Sequence, residues 1–235
     1  MKGLIDSFDT MGLVDGPGIR FVVFLRTCPL RCLFCHNPEM WNNENSLILS
    51  TDELINKVTR YLPFYKEGGV TFSGGEPLNQ PDFLLDALKQ CQKINIHTAL
   101  DTSGVYKDID KLIEILKYTD LVILDIKAID EENYKKITGL NMNKFNEFAK
   151  ECIKMNKKLW IRQVIIPGIN DSEEYIIRLK EYIKQFKNVQ KVELLPYHLY
   201  GVEKYKKLNI KYPLENTPPM DLKKLEELNH ILNSD

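Results

Sequence analysis

Long apolar runs are missing from this chain of 235 residues. The longest, "FVVFL" (21–25) and "LVIL" (121–124), fall far short of the roughly 20 residues that span a bilayer, so no membrane contact is expected. An excess of charge of either sign is missing too. Lys and Arg number 32 against 33 Asp and Glu, a net charge of −1, and the basic footprint of a nucleic-acid-binding protein is absent. The opening stretch "MKGLIDSFDTMG" lacks the apolar core of a secretory signal, which makes a cytoplasmic, reducing location the expectation. Cysteine is scarce, with five residues, and an odd number argues against a disulfide framework. Linkers and low-complexity segments are lacking. The Pro-rich "KYPLENTPPM" (211–220) reads as a loop. A single domain over residues 1–235 is therefore expected, with 43% hydrophobic residues to build its core.

What is present is an alternation of two periodicities. Apolar, β-rich stretches occur at 19–27, 69–74, 94–102, 120–127, 158–168 and 189–198. Helical periods lie between and after them, at 50–65, 81–93, 108–118, 143–156, 171–186 and 220–232. Ser50 with Glu53, and Asp171 with Glu174, have capping-box spacing, and Pro81 suits a first helical turn. Strands alternating with helices predict an α/β fold with a parallel sheet and right-handed crossovers. The strand interiors read as apolar on both faces. Residues capable of chemistry gather where strands end, the edge at which parallel α/β folds build their sites. Those residues are the cysteines, Gly74-Gly75-Glu76, Asp101, Asp125 with Lys127, Arg162 and His198.

Cys28, Cys32 and Cys35, in C-x3-C-x2-C spacing within "RTCPLRCLFCHNPEMW", allow three readings. Structural zinc needs a fourth ligand, and His36 is the neighbour to propose, although it adjoins Cys35. An electron-transfer cluster takes four cysteines, but Cys91 and Cys152 lie inside helical stretches and read as buried core thiols. A cubane with three cysteine ligands leaves one iron open for chemistry. The spacing alone leaves all three open.

The triad followed by "SGGEPL" resembles the radical S-adenosylmethionine superfamily. The resemblance extends to "DGPGIR" (15–20), "CHNPEMW" (35–41), "GGVTFSGGE" (68–76), "LDTSG" (100–104), "LVILDIK" (121–127), "WIRQVIIPG" (160–168) and "VELLPYH" (192–198). Together these are similar to the pyruvate formate-lyase activating enzymes, from Asp6 to about Leu232. The resemblance implies a partial (β/α)6 barrel. It implies a 4Fe–4S cluster on Cys28, Cys32 and Cys35 whose open iron binds S-adenosylmethionine and whose electron cleaves it to a deoxyadenosyl radical. For the cofactor it implies Asn37 near the adenine, Gly74, Gly75 and Glu76 at the amino group, Lys127 at the carboxylate, and His198, Arg162, Val164 and Leu195 around the adenosine. Read from residue type alone, Lys127 is equally a surface lysine, Arg162 a partner of a core carboxylate, and Val164 and Leu195 core.

Asp101 and Asp125 end adjacent strands and would repel without protons or a cation between them. The resemblance implies a monovalent cation there, sodium or potassium, bound also by the Thr102 and Ile123 carbonyls; the alternative is that one aspartate pairs with Lys127. Asp15-Gly16-Pro17-Gly18 has the composition of a simple turn; the resemblance implies that it lies next to the rim beside the partner's peptide, with Asp15 contacting it. The partner that the resemblance implies is a glycyl radical enzyme, pyruvate formate-lyase, with a flavodoxin as electron donor; a monomer is expected. No cysteine lies between Cys35 and Ser50, so the ferredoxin-like insert of other activases is absent. The alternatives are an activase of another glycyl radical enzyme, a radical enzyme for a small molecule, and a non-catalytic iron–sulfur or zinc module.

Overall fold

The apolar, β-branched stretches form strands, and the computed structural model describes them within residues 1–65 and 67–234. The strands are β1 (Lys2–Gly12), β2 (Arg20–Leu25), β3 (Leu47–Ser50), β4 (Gly69–Gly74), β5 (Thr98–Thr102), β6 (Leu121–Asp125), β7 (Lys158–Ile165) and β8 (Val189–Pro196). Among the described residues they make one sheet of order β3-β1-β2-β4-β5-β6-β7-β8. β2 and β4 to β8 pair in parallel, as the six βα stretches predict. β1 pairs antiparallel with β2 and with β3. With β3 and β8 at opposite edges the sheet stays open, which is the partial-barrel arrangement.

β1 and β3 have no counterpart in the sequence reading. In β1, "KGLIDSFDTMG", only Gly3, Ile5 and Gly12 are buried. An antiparallel strand with a wet face carries half the apolar signal of a central parallel strand.

The helices are α1 (Thr51–Thr59), α2 (Pro81–Lys93), α3 (Ile109–Lys117), α4 (Glu131–Thr138), α5 (Asn143–Lys154), α6 (Glu173–Ile183), α7 (Val202–Lys207) and α8 (Leu222–Asn233). Ser50 and Glu53 form the expected capping box, and Pro81 opens α2. The α6 cap lies one residue on from the expected Asp171. It is Ser172, whose hydroxyl accepts from Tyr175 N, while Asp171 accepts from Gly168 N at 2.8 Å and pairs with Lys224. α4 and α7 are the helices that the 3.6-residue period does not reveal. α4 is polar, with Tyr134, Ile137 and Thr138 buried, and α7 buries Tyr205. Among the described residues no helix is long and apolar enough to cross a membrane.

Strand alternation divides the side chains into two layers. Phe21, Val23, Leu25, Val70, Phe72, Val122, Leu124 and Ile161 join the helices in the main core. There α2 contributes Phe83, Leu84, Ala87, Leu88 and Cys91, and α5 contributes Cys152, both cysteines fully buried. Each large side chain so buried stabilises the fold by about 1.5–3 kcal/mol. The alternate positions form a separate layer. Ala99, Leu121 and Ile123 pack with Trp160, and beside them lie buried polar residues including Arg20, Thr71, Ser73 and Arg162. This corrects the expectation of apolar strands on both faces: the inner face sets polar residues among apolar ones.

At the start of β2, fully buried Arg20 donates to Thr71 Oγ1, Pro17 O and Val70 O, and its Nη2 lies 3.3 Å from His97 Nδ1. Burial, then the Arg20 cation, hold the His97 pKa below its ordinary value near 6.5. The fold therefore favours neutral His97. The stability that this contributes is present above pH 6.5 and lost as pH falls through the depressed pKa. Urea unfolding at pH 7.5 and 5.5 is expected to show this loss, and His97→Gln to reduce it; an identical pH dependence in the variant would refute the assignment.

Candidate functional site

The segment after β2 is held in a conformation that its residue types do not favour. Thr27, a β-branched residue, has φ +72°, in the left-handed region. Its carbonyl accepts from Glu76 N at 2.9 Å and its hydroxyl accepts from Asn79 Nδ2 at 2.7 Å. The β4 turn reaches it because it is glycine. A Cβ on Gly74, at φ +112°, would stand 2.3 Å from Leu25 O, and one on Gly75 2.5 Å from Thr27 O. Two helices clamp the cysteine loop that follows. Arg31 N and Leu33 N donate to Thr138 O and Ile137 O at the end of α4. Gly201, which precedes α7, approaches so closely that a Cβ would lie 2.9 Å from His36 Cα.

The loop and the strand ends enclose a cavity of about 410 Å³. Its wall includes Cys28, Cys32, Cys35, Asn37, Gly74, Gly75, Asp101, Thr102, Asp125, Lys127, Arg162, Val164, Leu195 and His198. Residues expected at a site from six separate strand ends thus come together in one place.

Three expected residues stand elsewhere. Glu76 does not line the cavity; its fully buried carboxylate accepts from Leu78 N, Thr102 Oγ1, Ser103 N and Ser103 Oγ. It supports the wall by tying the β4 turn to the end of β5. Ile123, whose expected contribution is its backbone carbonyl, does not line the cavity, and its side chain belongs to the inner apolar cluster. Asp15 is not on the cysteine rim. Gly12 pairs with Arg20, so the connection between β1 and β2 leaves the sheet where β2 begins, at the end opposite the cysteines. Any connection preceding a strand lies at that strand's start, and residues 15–18 directly precede β2. Asp15 still reaches the site through Arg162. Its Oδ1 is 3.9 Å from Arg162 Nη1, and Arg162 also donates to Val14 O and to Glu193 Oε2.

The cavity also takes in His36, raised only as a zinc ligand, and Phe24, Leu30, Phe34, Trp41, Ser73, Ser103 and Pro196, which the sequence reading did not place there. Ser73 was accessible to it. Thr71 and Ser73 alternate with Val70 and Phe72, the signature of a strand with a polar inner face.

Charge within the cavity is arranged in pairs. Lys127 Nζ contacts Asp125 Oδ2 at 2.6 Å and lies 5.1 Å from the Phe34 ring centre. Burial opposes the lysine charge, but Asp125 and Cys32 outweigh it and its pKa is raised. Asp101 accepts from Ser73 Oγ at 2.6 Å. Burial raises its pKa against the opposing pull of Arg162 and Ser73, and Asp125 raises it further.

Burial pushes the Cys32 thiol up to about 12 and raises Cys28 and Cys35 as well. Three thiols in such a pocket ionise only against bound metal. The His36 ring stacks on His198, centres 3.7 Å apart at 14°. Among the described residues no three His, Cys, Asp or Glu side chains are spaced to share one metal ion. Thiolates that each hold a different iron of a cubane need no such convergence. Among the described residues the buried side-chain atoms without a hydrogen-bond partner are Arg26 Nε, His36 Nε2, Glu39 Oε2, Asp125 Oδ1, Tyr134 OH, Gln163 Oε1 and Tyr205 OH. Buried polar atoms are normally paired. All but Gln163 belong to the cavity wall or to the segments packed around the cysteines, so the residues fit a polar, metal-bearing occupant.

Comparison with known proteins agrees with this geometry. Residues 22–179 match the model of the Radical SAM superfamily, and membership of it implies a 4Fe–4S cluster and S-adenosylmethionine. A pyruvate formate-lyase-activating enzyme of Clostridium pasteurianum is 50% identical over 99% of this chain and 98% of its own. One of Staphylococcus epidermidis is 43% identical over 99% and 96%. Among solved structures, a domain of pyruvate-formate lyase-activating enzyme from Bacteroides vulgatus superposes with a TM-score of 0.57 at 25% identity, covering 70% of this chain and 92% of that one. SuiB of Streptococcus suis, bound to its precursor peptide SuiA, superposes at 0.68 with 21% identity over 89% of this chain and 44% of its own, a likeness of fold. The chain belongs to the Radical SAM superfamily and, within it, to the pyruvate formate-lyase-activating enzymes.

Proposed function

We infer that this chain is an oxidoreductase that cleaves S-adenosylmethionine reductively at a 4Fe–4S cluster and places a glycyl radical on pyruvate formate-lyase. The observation that carries this reading is the single cavity shared by the three cysteines, the Gly74–Gly75 turn and the Asp101, Asp125 and Lys127 charges. When bound, the cluster and S-adenosylmethionine supply one-electron cleavage of a carbon–sulfur bond and hence a radical able to take hydrogen from a glycine α-carbon.

This chain's own residues bind and shield. Cys28, Cys32 and Cys35 would hold the cluster. Gly74 and Gly75 admit the cofactor's amino group to backbone. Lys127 faces its carboxylate, and Asn37, His198, Val164 and Leu195 surround its adenosine. Asp125 Oδ1, buried without a partner, and Asp101 together bind sodium or potassium, aided by the Thr102 and Ile123 carbonyls; hard oxygen donors suit such an ion. Asp15, steadied by Arg162 and by the Thr71 hydroxyl on its carbonyl at 2.6 Å, contacts the incoming peptide. A flavodoxin supplies the electron, and one domain without a ferredoxin-like insert, acting as a monomer, suffices.

The test is anaerobic incubation with S-adenosylmethionine, flavodoxin hydroquinone and pyruvate formate-lyase, followed by electron paramagnetic resonance. A glycine-centred doublet on the lyase, with deoxyadenosine in matching amount, is expected. Removing sodium and potassium should weaken cofactor binding. Equal deoxyadenosine with and without the lyase, and no protein radical, would instead favour a small-molecule substrate.

A further inference from the structure

A short polar side chain just before a helix normally serves that helix. Ser50, Asp108, Asp130, Ser172 and Asp221 each accept from first-turn amides of the helix that they open, as Ser, Asp and Asn at that position generally do. Asn37 does not. It opens the short 3-10 turn Pro38–Trp41, and its side chain makes no capping bond there. Met40 N donates instead to the Asn37 backbone carbonyl at 3.0 Å. The side-chain oxygen of Asn37 accepts from Lys204 Nζ at 2.6 Å.

Lys204 reaches Asn37 because of the way α7 lies on the segment after Cys35. Gly201, Lys204 and Tyr205 are three and four positions apart and so share one face of that helix. Gly201 abuts Cys35 and His36, and the Tyr205 ring meets Trp41 edge-on at 5.8 Å. Between these two contacts, Lys204 Nζ bonds to Asn37 Oδ1 and to Glu39 Oε1. Glu39 Oε2 is buried without a partner, so among the described residues Lys204 is the group that holds the Glu39 carboxylate. Lys206, by contrast, pairs with Glu203 on α7 itself.

A lysine head group carries donors only, so Asn37 must turn its oxygen toward Lys204 and its Nδ2 away. Asn37 lines the cavity. Its Nδ2 has no partner among the described residues and is not closed off from access. We propose that Lys204 is a positioning residue that fixes the Asn37 amide so that Nδ2 donates to an acceptor atom of the bound adenosine. The proposal rests on the reading above that this cavity binds S-adenosylmethionine with Asn37 beside its adenosine. The two ends of an amide have nearly the same shape, so an untethered asparagine presents its oxygen as readily as its nitrogen, and the oxygen would repel an acceptor. Lys204 removes that choice before the cofactor arrives, and a donor oriented in advance gains affinity without any added contact.

The test is calorimetric binding of S-adenosylmethionine to the anaerobically reconstituted full chain and to Lys204→Met, Lys204→Arg, Asn37→Ala, Glu39→Gln and the pair Lys204→Met with Asn37→Ala. Lys204→Met keeps the aliphatic stem, and iron content is expected to match the wild type. It and Asn37→Ala should each weaken binding about tenfold. The pair should bind no more weakly than Asn37→Ala alone, because the lysine acts through that amide. Lys204→Arg, which still offers only donors to Asn37, should restore most of the affinity. Glu39→Gln, which leaves the bond from Lys204 to Asn37 in place, should bind within about twofold of wild type. Wild-type binding in either single variant, Lys204→Met or Asn37→Ala, would overturn the proposal. So would a full further loss in the pair, or a loss in Glu39→Gln equal to that in Lys204→Met, since either would assign the effect to the ion pair. A Lys204→Met chain that loses its iron would show that the lysine holds the cysteine loop instead, and would overturn it too. A wild-type chain that does not bind S-adenosylmethionine overturns the functional reading itself, an outcome seen before any variant is compared.

Discussion

Replacing Cys28, Cys32 or Cys35 by serine is expected to abolish both cluster assembly and cofactor cleavage while leaving the polypeptide folded. Burial already pushes the three thiols above their ordinary range. A serine hydroxyl ionises far less readily than a thiol, so the same surroundings would keep it protonated and unable to hold iron. If these three are the protein ligands, each loss would deprive one iron of its attachment to the chain. The loop does not depend on those side chains for its shape. Its amides at Arg31, Leu33 and Cys35 donate to Thr138 O, Ile137 O and Cys32 O at 2.9–3.0 Å, and Thr27 O receives Glu76 N. Apo-protein melting should therefore change little, since serine nearly keeps the volume of cysteine and these backbone bonds remain. Iron analysis, the reduced-cluster resonance and deoxyadenosine yield measure the loss. A single serine variant retaining a full cubane and cleaving S-adenosylmethionine would refute the ligand assignment, and zinc at full occupancy after anaerobic iron reconstitution would return the site to the structural reading.

The cysteines were legible because metal ligation demands particular atoms at short spacing, and a strand's end shows in sequence as the point where β-branched residues give way to Gly, Asp or Pro. The parallel strands and most helices follow from the same period-2 and period-3.6 signals. What escaped notice shares a cause. β1 has a polar face, β3 has four residues, and α4 and α7 bury few side chains, so none imposes a strong period on the chain. Yet α4 and α7 clamp the cysteine loop. Glu76 shows a second limit. Its place in the "SGGEPL" turn suggested a ligand contact, whereas three of its four hydrogen bonds come from Thr102 and Ser103 at the end of β5. A sequence displays the turn but not the partner strand to which the side chain is turned.

Glu76→Ala is expected to lower both stability and S-adenosylmethionine affinity, although Glu76 lies outside the cavity wall. Its Oε1 accepts from Thr102 Oγ1 at 2.6 Å and Leu78 N at 3.1 Å, and its Oε2 from Ser103 N at 2.9 Å and Ser103 Oγ at 2.5 Å. Burial raises its pKa, and the Ser103 and Thr102 hydroxyls lead the hydrogen bonds that pull it back. Alanine leaves two buried amides without an acceptor, at about 1–3 kcal/mol each, and removes two hydroxyl bonds besides. A loss of about 3–5 kcal/mol in urea unfolding follows, a large share of the roughly 5–15 kcal/mol that holds a domain together. The consequence for binding comes through position. Gly74 and Gly75 approach Leu25 and Thr27 at distances that only glycine permits, and the Glu76 carboxylate holds that turn in register with Thr102 beside Asp101. Freed of it, the two strand ends can separate and misplace groups that line the same cavity. Glu76→Gln preserves the volume and one acceptor oxygen but turns an N–H2 toward donors, so an intermediate loss is expected. Calorimetric binding of S-adenosylmethionine to each reconstituted variant measures the second effect. Stability within about 1 kcal/mol of wild type in Glu76→Ala, or weakened binding equal in the Gln and Ala variants, would show that the carboxylate does not couple the two strand ends in this way.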